Sequence, residues 1–184
     1  MTYCLGILTD EGLVMASDSR SNAGHDQVNT CRKMHRFVKE GDRTFVILTS
    51  GSLSISQSVI TLLRDDFDAG RGLAVAESLY HAARIVGDCV RKVSDLDRAA
   101  LERDDYNFNV HLLLGGQVKG EMPNLYLIYP QGNPLRATED SPICSSESAN
   151  TGGQSSIAAS IRQRRCTWRQ STRYFPSTPR CDRT

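Results

Sequence analysis

A threonine directly behind the initiator methionine is the first residue of this chain that suggests chemistry. Thr2 precedes an apolar segment, "YCLGIL", which has the alternation of a β-strand. If Met1 is removed, the α-amine of Thr2 lies beside its own hydroxyl. A free α-amine has a pKa of roughly 8 and can act as a base near neutral pH. One residue can then supply both nucleophile and base, provided that the strand holds it rigidly. The plain alternative is that threonine is merely a common second residue.

Two charged residues stand at predicted strand ends where they can meet this threonine. Asp18 ends the second strand in "ASDSR", and Lys33 opens the third in "CRKMHRF". A cation near the terminal amine would lower the pKa of that amine, and a carboxylate would hold the lysine in place. Arg20 can join the same network or be a solvated loop residue. The alternative for Asp18 and Lys33 is an ordinary surface position.

A glycine completes the set of candidate residues. Gly51, in "TSGS", ends a predicted strand just before a predicted helix. Glycine can present its N–H to a developing oxyanion without a side chain in the way. The alternative is a plain strand-to-helix turn. Together, these residues follow the order used by an N-terminal-nucleophile hydrolase.

The elements that must position these residues can be read from the periodicity. Two hairpins are predicted first, with turns at "TDEG" and "EGDR". Two amphipathic helices follow, one with apolar spacing from Val59 to Phe67 and one from Val75 to Val93, separated by "DAGRG". Strands return from Phe108 onward. This order predicts a layered α/β protein in which helices cover an antiparallel sheet.

Composition narrows the classes of function. The 184 residues with 39% hydrophobic content fit one domain with a packed core, and the net charge of +1 argues against a nucleic-acid binder. The six cysteines form no CxxC pair, so we expect no metal site, no cofactor and no disulfide framework. The chain lacks both a signal-peptide pattern and an apolar run near 18 residues. We therefore expect a cytoplasmic protein that does not enter the membrane.

Four stretches of the sequence point to a family. The sequence resembles proteasome β-type subunits, and among them the bacterial Anbu-type proteasome-like peptidases, over about residues 2–142. The resemblance rests on "MTYCLGILTDEGLVMASDSRSNAG", "RKMHRF", "SGSLSISQSVITLL" and "LIYPQGNPLRATEDSP". It implies an αββα sandwich, which is the N-terminal-nucleophile hydrolase fold, and self-assembly into a ring or open-ring particle. It also implies hydrolysis of peptide bonds in peptides or unfolded proteins.

The resemblance also implies a role for each candidate residue. Thr2 would be the nucleophile, and its amine the base. Asp18 and Lys33 would be the charged pair that tunes the amine, with Arg20 supporting that pair. Gly51 would donate to the oxyanion.

Residues 143–184 differ in kind from the rest of the chain. They contain eight Ser, seven Arg and three Cys but no Leu, Val or Lys, and they carry about +5 against about −4 on residues 1–142. This composition suits neither a folded segment nor an ordinary basic disordered tail. Possible codons for residues 142–158, read one base earlier, give "YLQLGERKYGRPILDR", which resembles what Anbu-type proteins carry next.

We therefore expect a reading-frame slip at the start of this tail. Residues 1–142 would form a truncated N-terminal-nucleophile domain, so the fold would be incomplete at its C-terminal end. Residues 143–184 would be an aberrant, disordered Ser/Arg-rich tail, with few buried contacts and no regular element docked on the sheet.

Several functions stay open at this point. The leading interpretation is a threonine peptidase subunit. The alternatives are a non-catalytic assembly subunit, an inactive truncated product, and an N-terminal-nucleophile amidase acting on a small molecule. An Arg-rich nucleic-acid binder is the weakest candidate, because the basic residues concentrate in a tail without a recognisable fold.

Overall fold

Alternating apolar residues organise the first part of the chain into strands, as the sequence predicts. The computed structural model describes residues 3–9, 11–22, 28–138 and 143–146. Its strands are β1 Cys4–Thr9, β2 Gly12–Ser17, β3 Arg20–Asn22, β4 Val28–Thr30, β5 Met34–Lys39, β6 Arg43–Gly51, β7 Val110–Val118, β8 Asn124–Ile128, β9 Pro134–Arg136 and β10 Ile143–Ser146. Its α-helices are α1 Leu53–Asp68 and α2 Leu79–Arg103.

The described strands pair antiparallel throughout and form three sheets. Their orders are β10-β1-β2, β3-β4 and β5-β6-β7-β8-β9. Both predicted hairpins, β1–β2 and β5–β6, are confirmed. The Thr9 hydroxyl donates a hydrogen bond of 3.0 Å to the carbonyl of Gly12 in the first turn. The short β3–β4 ribbon was not predicted, because its residues belong to a polar stretch without alternation.

Both predicted helices are present and bury the apolar stripe that their spacing indicates. The Ser78 hydroxyl caps α2 by accepting a 3.0 Å hydrogen bond from the His81 N–H. The prediction that the second helical pattern includes Val75 is wrong. Val75 lies in a 3₁₀ turn, Gly72–Val75, and is 58% exposed. The reason is that Ser78 is the N-cap, so the helix begins only at the next residue, Leu79.

The five-stranded sheet buries both of its faces. On one face, Phe45, Ile47, Leu112 and Leu114 pack with the buried stripes of α1 and α2, and we call this the helix-side core. On the other face, a smaller group of buried residues packs between β1 and the five-stranded sheet, and we call this the inter-sheet core. Its buried members are Cys4, Leu48, Leu113, Leu125 and Ala137. The layers are therefore a small sheet, a large sheet and helices. The predicted layered α/β architecture is confirmed.

Glycine lets the two sheets approach closely. A Cβ at Gly6 of β1 would lie 2.8 Å from the side chain of Leu125, closer than real Cβ contacts allow. A Cβ at Gly115 of β7 would lie 2.5 Å from the side chains of Leu13 and Met15. Small residues on both sheets therefore set the distance between β1, which follows Thr2, and the strands that carry the other candidate residues.

Strand β10 corrects one expectation about the C-terminal segment. Ile143–Ser146 pairs antiparallel with β1, from Cys4↔Ser146 to Ile7↔Ile143. The expectation that no regular element after about residue 143 docks on the sheet is therefore wrong for these four residues. The physical reason is that an open strand edge offers backbone groups to any extended segment, whatever its side chains. Residues 147–184 lie outside the described residues, so the reading-frame slip stays a prediction, which the coding DNA across residues 138–150 would test.

Candidate active site

The short β3–β4 ribbon brings the two charged candidates together. Asp18 follows β2 directly, and Lys33 immediately precedes β5, as their predicted positions at strand ends require. At the base of the ribbon, the Cys31 N–H donates to the carbonyl of Ser19 over 3.0 Å. The two chain segments that carry Asp18 and Lys33 therefore run side by side.

Lys33 and Asp18 form the expected ion pair. The Lys33 ammonium donates to both carboxylate oxygens of Asp18, each at 3.0 Å. The lysine side chain is 5% exposed and the aspartate side chain 31%. Within the part of the chain that the structure describes, Lys33 is the one buried residue with a formal charge. A charge is rarely buried unless it is paired, and the Asp18 carboxylate is the partner that this buried ammonium requires.

The Asp18 carboxylate also holds the start of β1. The Tyr3 N–H donates to Asp18 Oδ1 over 3.1 Å, and the Asp18 N–H donates back to the Tyr3 carbonyl over 3.1 Å. One carboxylate thus contacts both the buried ammonium and the residue that follows Thr2. Sequence reasoning missed Tyr3, because a backbone N–H leaves no mark in the side-chain pattern.

Two candidates lie beyond this geometry. Thr2 is outside the described residues. Arg20 begins β3 and is paired with Thr30 through the backbone, but its side chain is also outside the described part. The structure therefore brings together Asp18 and Lys33 and says nothing of the contacts of Thr2 or of the Arg20 guanidinium.

Gly51 ends β6 just before α1, as predicted, and its backbone requires glycine. Its φ is +95°, and a Cβ there would lie 2.4 Å from the carbonyl oxygen of Asn109. That oxygen accepts a 2.8 Å hydrogen bond from the Ser52 N–H, which fixes the approach of the two segments. Two residues earlier, the Thr49 N–H donates to the Lys33 carbonyl over 2.9 Å. Gly51 thus lies on the strand that supports Lys33.

A histidine that the sequence analysis did not single out lies beside Gly51. His111 pairs with Ser50 across β6 and β7, and the Ser50 hydroxyl donates to the His111 carbonyl over 3.3 Å. The imidazole packs edge-on against Tyr129, with ring centroids 6.2 Å apart. Burial lowers the pKa of His111 below its ordinary value, which favours the uncharged imidazole.

The described residues also contain a cleft remote from these groups. Its volume is about 300 Å³, and it lies between the turn at Gly41–Thr44 and the end of β7 at Gln117–Gly120. Arg43 and Gly51 are the two ends of β6, so this cleft and the candidate site lie at opposite ends of the sheet.

Over the described ranges, no group of three or more metal-ligating side chains occurs. Neither described helix is long and apolar enough to cross a membrane.

Comparisons with known proteins place this geometry in a family. No family model matches the chain. A curated relative, the proteasome subunit beta of Haloferax volcanii, is 31% identical over 134 residues, which cover 73% of this chain and 49% of the relative. This chain thus spans about half the length of that relative.

Solved Anbu structures are similar over more of their length. Anbu from Pseudomonas aeruginosa, solved as a helical assembly, is 34% identical with a TM-score of 0.76, and the match covers 95% of this chain and 76% of that one. Anbu (ancestral beta-subunit) from Yersinia bercovieri is 40% identical with a TM-score of 0.72, covering 83% and 63%. A Gly-1 mutant of Anbu from Hyphomicrobium sp. strain MC1 is 36% identical with a TM-score of 0.73, covering 82% and 62%. The chain therefore belongs to the proteasome β-subunit family, among its Anbu-type members, and has the layered N-terminal-nucleophile hydrolase fold.

Proposed function

We propose that this chain is a cytoplasmic threonine-type peptidase subunit in which Thr2, exposed by removal of Met1, is the nucleophile. The observation that carries the proposal is the buried Lys33 ammonium, held at 3.0 Å by both oxygens of Asp18. The same carboxylate accepts a hydrogen bond from Tyr3, whose nitrogen is covalently joined to Thr2. A buried ammonium held in this way is suited to lowering the pKa of a nearby amine.

The proposed reaction is hydrolysis of a peptide bond through an acyl-enzyme. The Thr2 hydroxyl attacks the carbonyl carbon, its proton moves to the α-amine, and an oxyanion forms. When the oxyanion collapses, the C–N bond breaks, and the ammonium gives its proton to the departing amine. Water then attacks the ester with the α-amine again as base, which releases the acid and restores Thr2. The overall reaction consumes one peptide bond and one water molecule and needs no other co-reactant.

The other residues would act electrostatically. The Lys33 ammonium would disfavour a second positive charge nearby and so lower the pKa of the Thr2 amine toward neutral pH. Asp18 would keep that ammonium in place, and Arg20, at the start of β3, would support the pair. The N–H of Gly51, on the strand that holds Lys33 through Thr49, would donate to the oxyanion.

The same proposal includes self-association. The Pseudomonas aeruginosa Anbu is described as a helical assembly, and this chain is 34% identical to it. Large apolar side chains on the surface are compatible with burial against a second copy: Leu96 is 77% exposed, Met122 75% and Tyr106 68%. A non-catalytic assembly subunit is the second candidate function that this observation favours.

The central experiment compares the unaltered chain with Thr2→Ala on peptide–dye conjugates. Removing the hydroxyl removes the covalent step, so we expect at least a ~1,000-fold loss of rate with the fold intact. Thr44→Ala, at the opposite end of β6, is the matched control and should keep full activity. Intact-mass measurement should show that Met1 is absent. Full activity in Thr2→Ala, or in protein that retains Met1, would contradict the proposal.

Size measurement in solution separates the remaining alternatives. A peptidase subunit should form multi-subunit particles and cleave peptide–dye conjugates, whereas an assembly subunit should form particles without cleaving them. An amidase for small molecules should hydrolyse small amides and leave the peptide conjugates intact.

A further inference from the structure

A chain of hydrogen bonds connects the buried lysine to the interior of the first strand. The Lys33 carbonyl accepts from the Thr49 N–H at 2.9 Å, and the Thr49 carbonyl accepts from the Cys4 thiol at 3.4 Å. Cys4 directly follows Tyr3, which bonds the carboxylate that holds the Lys33 ammonium. The contacts thus close a ring from Lys33 through Thr49, Cys4, Tyr3 and Asp18 back to Lys33.

Cys4 links β1 to β6, so this ring joins the two sheets at the thiol as well as at the Asp18–Lys33 pair. Cys4 lies in β1, its side chain is fully buried, and it packs in the inter-sheet core with Leu48 and Leu113. The paired register of β5 and β6 ends at Met34↔Leu48, so Thr49 stands just past the end of that ladder. The thiol reaches the Thr49 carbonyl where the ladder with β5 ends, while Thr49 stays paired with Leu112 of β7 on the other side.

We infer that Cys4 is a positioning residue, whose thiol fixes the Thr49 peptide and through it the backbone of Lys33 relative to the start of β1. The inference rests on the proposed function, in which Lys33 must stay close to the Thr2 amine. Loss of the thiol donor would remove this hydrogen bond from the buried Thr49 carbonyl and let Lys33 move relative to Tyr3. The effect would be a loss of alignment at the amine, with the peptide-binding surface unchanged.

The chain offers a matched control for this thiol. Cys89 in α2 is also buried, and its thiol donates to the Val59 carbonyl over 3.6 Å. Burial raises the pKa of the Cys89 thiol to about 11, so this thiol is an uncharged donor at neutral pH. Cys89 lies in the helix-side core, on the opposite face of the five-stranded sheet from Cys4. Replacing either thiol by valine removes one thiol–carbonyl contact from a buried site, but only Cys4 belongs to the ring.

The kinetic test compares Cys4→Val, Cys4→Ser and Cys89→Val in the full chain. We expect Cys4→Val to lower kcat about 5-fold, in keeping with loss of one buried hydrogen bond, and to leave KM unchanged. The acidic limb of its pH–rate profile should move to higher pH, because a displaced ammonium lowers the pKa of the amine less. Cys4→Ser retains a donor and should recover most of the rate, and Cys89→Val should behave as the unaltered chain.

A second measurement tests the ring without using activity. Hydrogen–deuterium exchange at the Tyr3 and Thr49 amides should be about 10-fold faster in Cys4→Val than in Cys89→Val, because a ring without the thiol bond opens more often at both N–H groups. Equal exchange in the two variants, or equal kcat and pH profiles, would overturn the inference. Faster exchange in Cys4→Val together with full hydrolysis by Thr2→Ala would leave the ring standing and refute the proposed nucleophile.

Discussion

The two faces of the five-stranded sheet are buried in different ways. Among the described residues, the helix-side core contains 23 buried side chains, and the inter-sheet core contains five. The larger core is built from aromatic and aliphatic groups of the sheet and both helices. The smaller core includes Cys4, which connects it to the Asp18–Lys33 pair. Apolar burial that stabilises the fold therefore concentrates on one face, and polar contacts that can align a reaction border the other.

Neighbouring leucines on β7 give the strongest test of this comparison. Leu112 faces the helices and Leu113 faces the small sheet, and both are fully buried. We expect Leu112→Ala to lower the free energy of unfolding by about 4 kcal/mol and Leu113→Ala by about 2.5 kcal/mol, because a thinner core collapses more readily around a cavity. Urea unfolding of the two variants measures the difference. Equal losses would mean that the two faces stabilise the fold alike.

Lys33→Ala tests whether the Asp18–Lys33 pair, which borders the inter-sheet core, serves the proposed hydrolysis. We expect a loss of about 100-fold in rate, which corresponds to about 2.7 kcal/mol, and a pH–rate profile displaced toward alkaline pH. Lys33→Arg should also be impaired, because guanidinium is larger and planar. The exposed Lys119 at the far end of β7 provides the control, since Lys119→Ala should alter neither the rate nor the profile. An unchanged profile in Lys33→Ala would remove the lysine from the site.

Substitutions at Gly51 and Gly70 distinguish the cost of backbone strain from the cost of a steric clash. Both have positive φ, +95° and +71°, but an added Cβ meets the Asn109 oxygen at Gly51 and nothing within 4 Å at Gly70. We expect Gly70→Ala to lower the unfolding free energy by about 1 kcal/mol and Gly51→Ala by more than about 2 kcal/mol. Thermal unfolding would reveal the order. A larger loss at Gly70 would show that the contact with Asn109 relaxes easily.

Two histidines on opposite faces should give the smallest effect. Burial, followed by the positive charges of Arg64 and Arg32, lowers the pKa of His35 below its ordinary value of 6.5, whereas burial alone lowers that of His111. A lowered pKa means that the unfolded chain takes up a proton first as the pH falls. The stability that the two uncharged histidines contribute is therefore present above about pH 6.5 and is lost as the pH falls below that value. The melting temperature should fall less between pH 7 and 5.5 in His35→Gln and His111→Gln than in the unaltered chain. An unchanged fall in both variants would assign the acid sensitivity to other groups.

Much of the local structure and one contact of the candidate site could be predicted from residue order. Hairpins and helices follow from periods of two and 3.6, which act over a few neighbouring residues. The placement of Asp18 and Lys33 at strand ends, and of Gly51 between a strand and a helix, follows from the same local pattern. The Asp18–Lys33 pair was predictable because opposite charges at adjacent hairpin ends stabilise each other. Val75 was misplaced because a helix cap overrode a periodic pattern.

Contacts between segments that are distant in the sequence could be identified only from the tertiary structure. The Cys4 thiol meets the carbonyl of Thr49 across 45 positions, and the Tyr3 N–H meets Asp18 across 15. No repeat in the sequence encodes such pairs, because they depend on how closely two sheets approach and on backbone groups that every residue carries. The pairing of Ile143–Ser146 with β1 arises in the same way, since an open edge accepts an extended segment through its backbone. Residue types thus determined which groups could react, and the packing of one sheet on another decided which of them meet.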